Sequence, residues 1–377
     1  MYYIAWPRRG LLFAFPLLVG FFLLALTGQA AAHSPHDEVM RLASDPATPR
    51  HLYAVVRYML LASFDLGAQW SRISAGIWRH RLHDVATVPK SHPHGANVDL
   101  VIASEDGVLH RKDGSWILAE IGSVRRVYLT SDAIVALTED GQLLRSEDLI
   151  DWSSLDDGVS TAVVSGDDLW IGTVSGDVRS GGTTHKTLDS PVTAVLPHDG
   201  NLLVGTSSGL YVVDGERVEQ RDARGVTSIA ASGEVVMASL HSDGVLLSRN
   251  GGRTFGDLSD GLTTDPQADD AGYGVPHFNQ VLAVSDGADD HWFCAGFDGL
   301  FTTQGLASWI ELPGIQPRTL IAGLATDGAD LLYSTYGAGI VRRCEGAGEV
   351  QENRGLRAKR LFAATPVEGR TIIANHA

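Results

Sequence analysis

The sequence predicts an all-β fold, a β-propeller of four-stranded antiparallel blades, and three observations carry that prediction. First, one phrase returns along the chain: an apolar run, a small or acidic residue, glycine, then a second apolar run. Its glycines are Gly107, Gly141, Gly176, Gly209, Gly244, Gly299 and Gly339, at steps of 34, 35, 33, 35, 55 and 40 residues. A recurring period of this size marks one supersecondary unit stacked in series. Second, the runs are short and rich in Val, Ile, Leu and Tyr, as at 100–103, 134–137, 202–205, 235–238 and 331–333, with Gly, Asp, Ser or Asn nearby. That is a strand-and-turn pattern. Third, no sustained i, i+3, i+4, i+7 pattern follows residue 50, which removes the helical repeats of similar period. A β-solenoid is the runner-up, but its coils are shorter and its sheets parallel.

The elements can be justified in order within one unit. Residues 226–231 read as a first strand and 234–239 as a second. Gly244 turns the chain into a third strand at 245–248, and a fourth begins at Phe255. Glycine supplies the positive φ that such hairpin turns need. Units of this kind fit at 38–77, 82–121, 122–158, 159–190, 191–224, 225–262, 278–314 and 315–355. Eight blades are favoured within a range of seven to nine. Residues 360–377 resemble the first two strands of another unit. They either join the N-terminal blade and close the ring or form a unit cut short, and a first strand near 39–43 competes with the former.

The turn after the third strand has its own pattern. Ser63-Phe-Asp65-Leu-Gly67-Ala-Gln-Trp70 reads S-x-D-x-G-x-x-W, and Ser248-Arg-Asn250-Gly-Gly252-Arg-Thr254-Phe255 reads S-x-N-x-G-x-T-F. These resemble the Asp-boxes of the BNR-repeat propellers, a group that includes sialidases, sortilin-type receptors and photosystem assembly factors. Ser146-Glu-Asp148-Leu-Ile-Asp-Trp152 is one residue short of the pattern. The box is a structural device: the Asp or Asn side chain accepts backbone N–H bonds inside a tight turn. The aromatic residue then packs between blades. Asp65 and Asn250 are therefore expected to stabilise turns, and Trp70, Trp116, Trp152, Phe255 and Trp309 to fill blade seams. The resemblance also implies that the boxes lie away from any active site.

Compartment follows from the N-terminus. Arg8-Arg9, an apolar stretch from Leu11 to Leu26 and the Ala30-Ala31-Ala32 triplet read as a secretory signal, with 1–32 expected to be removed and 33–377 to form a single domain; an uncleaved anchor is the alternative. An exported, periplasmic or extracellular protein without a stable membrane span is expected. The whole chain carries a net charge of −16. Removal of 1–32 leaves 27 basic against 45 acidic residues, a net charge of −18. Such a surface argues against nucleic acid and anionic lipid as partners and fits a monomer. The two cysteines, Cys294 and Cys344, fall in successive units, where spacing does not place them within bonding distance, and read as buried thiols.

Chemistry is harder to find. Two links between units stand out, Trp78-Arg-His80-Arg-Leu-His83 and the 263–277 segment with Asp265, Asp269, Asp270, Tyr273 and His277. Long loops on a rigid scaffold concentrate binding residues, so these seven are the candidate ligand contacts, against the plainer reading of solvated links. No calcium-loop pattern accompanies Asp269-Asp270. His33 with His36, and His92 with His94, lack further recognisable metal ligands, so no metal and no cofactor are expected. Gly205-Thr-Ser207-Ser-Gly209 matches a nucleophile elbow in letters only, because it joins two strands. The sialidase arginine motif is absent. The leading expectation is a non-catalytic propeller that binds a protein or glycan partner through one face. The competing one is a glycoside hydrolase with a carboxylate pair at the channel mouth.

Overall fold

The structure is a computed structural model. It describes residues 39–374 apart from 46–47, 57, 66–68, 216, 242–243, 263–277, 286–289, 297–298, 313–320, 328–329, 336–338, 345–347, 352–362 and 368–369. Eight antiparallel sheets follow one another along the chain, seven of four strands and the last of six. They span 39–72, 82–119, 124–156, 159–187, 192–222, 226–257, 278–311 and 321–351, and are numbered blades 1 to 8. Among the described residues there is no helix. Within each blade the strands pair in sequence order, from a first to an outer strand. Gly107, Gly209, Gly299 and Gly339 begin the third strand of their blade, and Gly141, Gly176 and Gly244 sit one or two residues before it. Gly176 shows why: its φ is +92°, and a Cβ there would run into the Leu188 carbonyl oxygen at the end of the same blade.

Because strands alternate in direction, the turns fall on two faces. Links between blades and turns between second and third strands share one face, called here the link face. Turns between first and second and between third and outer strands share the other, the box face.

The core lies between blades rather than within them. In the second strand of blade 2, Val98–Ser104, Leu100 and Ile102 pack with Val55 and Leu60 of blade 1 and with Ile77 of the link that follows it. Val101 and Ala103 of the same strand pack with Val127 and Ile134 of blade 3. Alternate residues thus serve opposite seams, and a strand buried on both sides must read as a continuous apolar run. Burying one such side chain contributes roughly 1.5–3 kcal/mol. The box aromatics fill the same seams. Trp152 packs between blades 2 and 3 and Phe255 between blades 5 and 6, while Trp309 of blade 7 donates Nε1–H to the Leu258 carbonyl at 2.5 Å.

A second device joins the blades, and it sits at a β-bulge. In blades 2, 4, 5 and 6 the register skips the second residue of the first strand: His83, Ser160, Thr193 and Thr227. In blade 3 the skipped residue is Arg125. A bulge frees a residue from the ladder and re-aims its side chain. Each of these five reaches the carbonyl of the first residue of the next blade. His83 Nδ1 lies 2.7 Å from Val124 O, and Arg125 Nη2 donates to Val159 O at 2.9 Å. The hydroxyls of Ser160, Thr193 and Thr227 donate to Val192 O, Val226 O and Phe278 O at 2.7, 2.7 and 2.8 Å.

The C-terminal hairpin, Ala363–Val367 with Arg370–Ala374, pairs with the first strand of blade 8 through Arg370 and Asp327. It also lies beside the first strand of blade 1. Blade 1 keeps its own four strands, so the hairpin fills the junction between blades 8 and 1 without replacing either.

Candidate functional site

On the link face, the segment 73–81 between blades 1 and 2 is wound into turns. It buries Ile77 completely and leaves Trp78 56% exposed, with the Arg79 guanidinium 4.8 Å from the indole centroid. His80 Nδ1 lies 2.6 Å from Asp106 Oδ2, in the neighbouring turn of blade 2. The Arg81 backbone N–H donates to Glu105 Oε1 at 3.2 Å. The Glu105-Asp106 pair therefore holds the link against blade 2. Exposed Tyr58, in the corresponding turn of blade 1, adds a second aromatic to this face.

The two histidines singled out by sequence separate in role. His80 belongs to this exposed assembly. His83 is one of the five bulge latches, with Glu139 Oε1 3.7 Å from its Nδ1. Its imidazole Nδ1 is directed at the next blade's backbone. Asp265, Asp269, Asp270, Tyr273 and His277 lie outside the described residues, as do Gly67 of the first box and the side chain of Cys344. Cys294 is a free, fully buried thiol whose pKa burial pushes up.

On the opposite face the Asp and Asn side chains of these turns accept backbone N–H groups. Asn250 Oδ1 accepts the Thr254 N–H at 2.9 Å, and Ser248 Oγ accepts the Gly252 N–H at 2.9 Å. Asp65 Oδ1 accepts the Gln69 N–H at 2.9 Å and the Ser63 hydroxyl at 2.8 Å. The short box does the same with a different residue: Asp148 Oδ1 accepts from Ile150 and Asp151, both at 2.8 Å. There Leu149, at φ +65°, donates its N–H to Ser146 Oγ at 2.8 Å, the bond that Gly252 makes in blade 6.

Also on the box face, blade 2 has an unusually long turn between its first two strands, residues 88–97. It is anchored on blade 3 by His92, whose Nε2 lies 3.1 Å from the Thr130 carbonyl while its Nδ1 accepts the His94 N–H at 3.2 Å. That pattern fixes the neutral Nε2–H tautomer. Burial lowers the pKa of His94, with His92 acting the same way and Asp148 against it. Burial also lowers His110, with Lys112 and His94 reinforcing it. His94 Nε2 and His110 Nδ1 are buried without hydrogen-bond partners.

Several carboxylates are fixed by ion pairs and hydrogen bonds. Asp156 and Asp177 flank Arg179 at the seam of blades 3 and 4, each ion-paired with it. The Thr187 hydroxyl is the main cause that holds Asp177 below the usual carboxylate range, burial opposing and Arg179 helping. Asp148, Asp222 and Asp257 are likewise held low.

No family model matches the sequence, and no curated protein does. Solved structures do match. A computationally designed protein, Ika8, aligns with 90% of this chain and 96% of its own length, at a TM-score of 0.56 and 11% identity. YCF48 from Cyanidioschyzon merolae aligns over 82% and 96%, at 0.52 and 15% identity. BamB from Moraxella catarrhalis aligns over 80% and 92%, at 0.53 and 13% identity. The fold is a β-propeller. At these identities the likeness extends to the fold alone. What the sequence reading missed is the latch ring, although its signal is present: Leu82-His83, Val124-Arg125, Val159-Ser160, Val192-Thr193 and Val226-Thr227 each pair an apolar residue with a donor.

Proposed function

We propose that this chain is an exported, non-catalytic propeller scaffold that captures a protein or glycan partner through its link face. The observation that carries this reading is the exposed Trp78, stacked by Arg79 and seated beside the His80–Asp106 pair on a backbone held by blades 1 and 2. Tryptophan and arginine supply much of the binding energy of protein interfaces, above all where a rigid support pre-orders them. Export rests on the N-terminal signal pattern.

The test is capture of partners from the exported fraction by the wild-type chain and by Trp78→Ser. Because Trp78 is mostly exposed, the variant should unfold at nearly the wild-type temperature while losing most of a specifically retained species. Equal capture by both would remove the link face from the interaction.

A further inference from the structure

The box face carries a recess that neither the repeat nor the latches account for. It lies at the seam of blades 4 and 5, with a volume of about 230 Å3. Trp170 and His185 of blade 4 form one wall, their rings 4.9 Å apart. The other wall is the hairpin of blade 5, with His198, Gly200 and Asn201. This size is below the ~300 Å3 at which pockets for multi-ring ligands begin, so it suits a single ring. His198 Nε2 is buried without a hydrogen-bond partner, and Asp199 Oδ2, at 3.8 Å, is beyond bonding distance. A buried polar atom left unpaired costs stability unless something satisfies it.

Asn201 also lines a second recess of about 270 Å3, which continues toward blade 6 and contains Arg217, Arg221 and Arg253 with Asp214 and Glu219. Glu219 pairs with both Arg217 and Arg221, whereas Arg253 has no ion pair among the described residues. In a chain of net charge −16, three guanidinium groups against two carboxylates make a local reversal of sign.

We propose that the two recesses together bind one hexuronic acid residue of an acidic glycan. The sugar ring occupies the Trp170–His198 recess, its hydroxyls bonding to His198 Nε2 and the Asn201 amide. Its carboxylate lies across Asn201 toward Arg253. An aromatic wall with a few convergent polar groups is the usual composition of a site for one small ligand, and guanidinium is the side chain best suited to a carboxylate. The site is on the face opposite Trp78 and is independent of the function proposed above.

The probes are methyl β-glucuronide and methyl β-glucoside, read by saturation-transfer NMR and by titration of backbone amide shifts. The full chain should bind the glucuronide with a millimolar Kd and the glucoside at least fivefold more weakly. Arg253→Gln, at an exposed position that tolerates change, should abolish that preference. Asn201→Ala should weaken both sugars at least fivefold, and Trp78→Ser neither. Absence of glucuronide binding by a folded chain, or binding that Arg253→Gln and Asn201→Ala both leave unchanged, overturns the proposal.

Discussion

Leu149 shows how one residue can carry two opposed terms. Its φ of +65° costs a non-glycine residue about 1–2 kcal/mol, yet its side chain is buried in the seam of blades 2 and 3. Truncation to alanine keeps the backbone cost and loses the burial, for about 2–4 kcal/mol. Glycine loses the same burial but relieves the backbone. Leu149→Gly should therefore be less destabilising than Leu149→Ala, by about 1 kcal/mol in chemical denaturation. The reverse order would show that the turn relaxes in solution. The complete box in blade 6 behaves more simply: Asn250→Ala removes the acceptor for the Thr254 N–H and should cost about 1–2 kcal/mol in the same assay. Both turns show in the sequence because their bonds are local, within a few residues of the Asp or Asn. The latch bond of His83 was not legible in the sequence, because its partner, Val124, is 41 residues away and only the bulge brings them together.

At the scale of elements, blade seams differ in their polar fastening. Three latches are hydroxyls, so Thr227→Val changes little in volume while removing the bond to Phe278 O. A loss of about 1 kcal/mol is expected, with the unfolding transition still single. An unaltered midpoint would mean that water replaces the hydroxyl. The seam of blades 3 and 4 is fastened instead by two arginines, Arg125 at the first strands and Arg179 between Asp156 and Asp177. The 88–97 turn introduces pH dependence. Its His94 and the adjacent-strand His110 have folded pKa values below their ordinary value of 6.5, so the unfolded chain binds more protons below that pH. Stability is then complete above about pH 6.5 and falls as pH is lowered through the depressed folded values. Replacement of His110 by Leu should flatten this acid limb in denaturation midpoints measured from pH 7.5 to pH 5. An unchanged limb would assign the pH dependence to other groups. The sequence showed the His92–His94 pair but not His110, because only the pairing of strands in blade 2 carries that residue to the same face.

The whole molecule raises the question of closure. An open stack of repeats has free ends, and its stability is a sum of unit and neighbour terms, so it can unravel from a terminus. Here the last hairpin, Ala363–Val367 with Arg370–Ala374, joins the first strand of blade 8 and lies beside that of blade 1. The sequence revealed this half-unit but not its destination, since both possible neighbours offer an apolar first strand. With the hairpin in place, the terminal blades have neighbours on both sides. Without it, their inward seams face water, and the stack regains two ends from which to unfold. A chain ending at residue 351 should therefore lose more than the hairpin's own contacts. Its thermal transition should shift downward and broaden, and amide exchange should accelerate first in blades 1 and 8. The central blades, 3 to 6, should keep their protection longest. If exchange instead rises evenly across all eight blades, the ring unfolds as one unit and the hairpin is an appendage rather than its clasp.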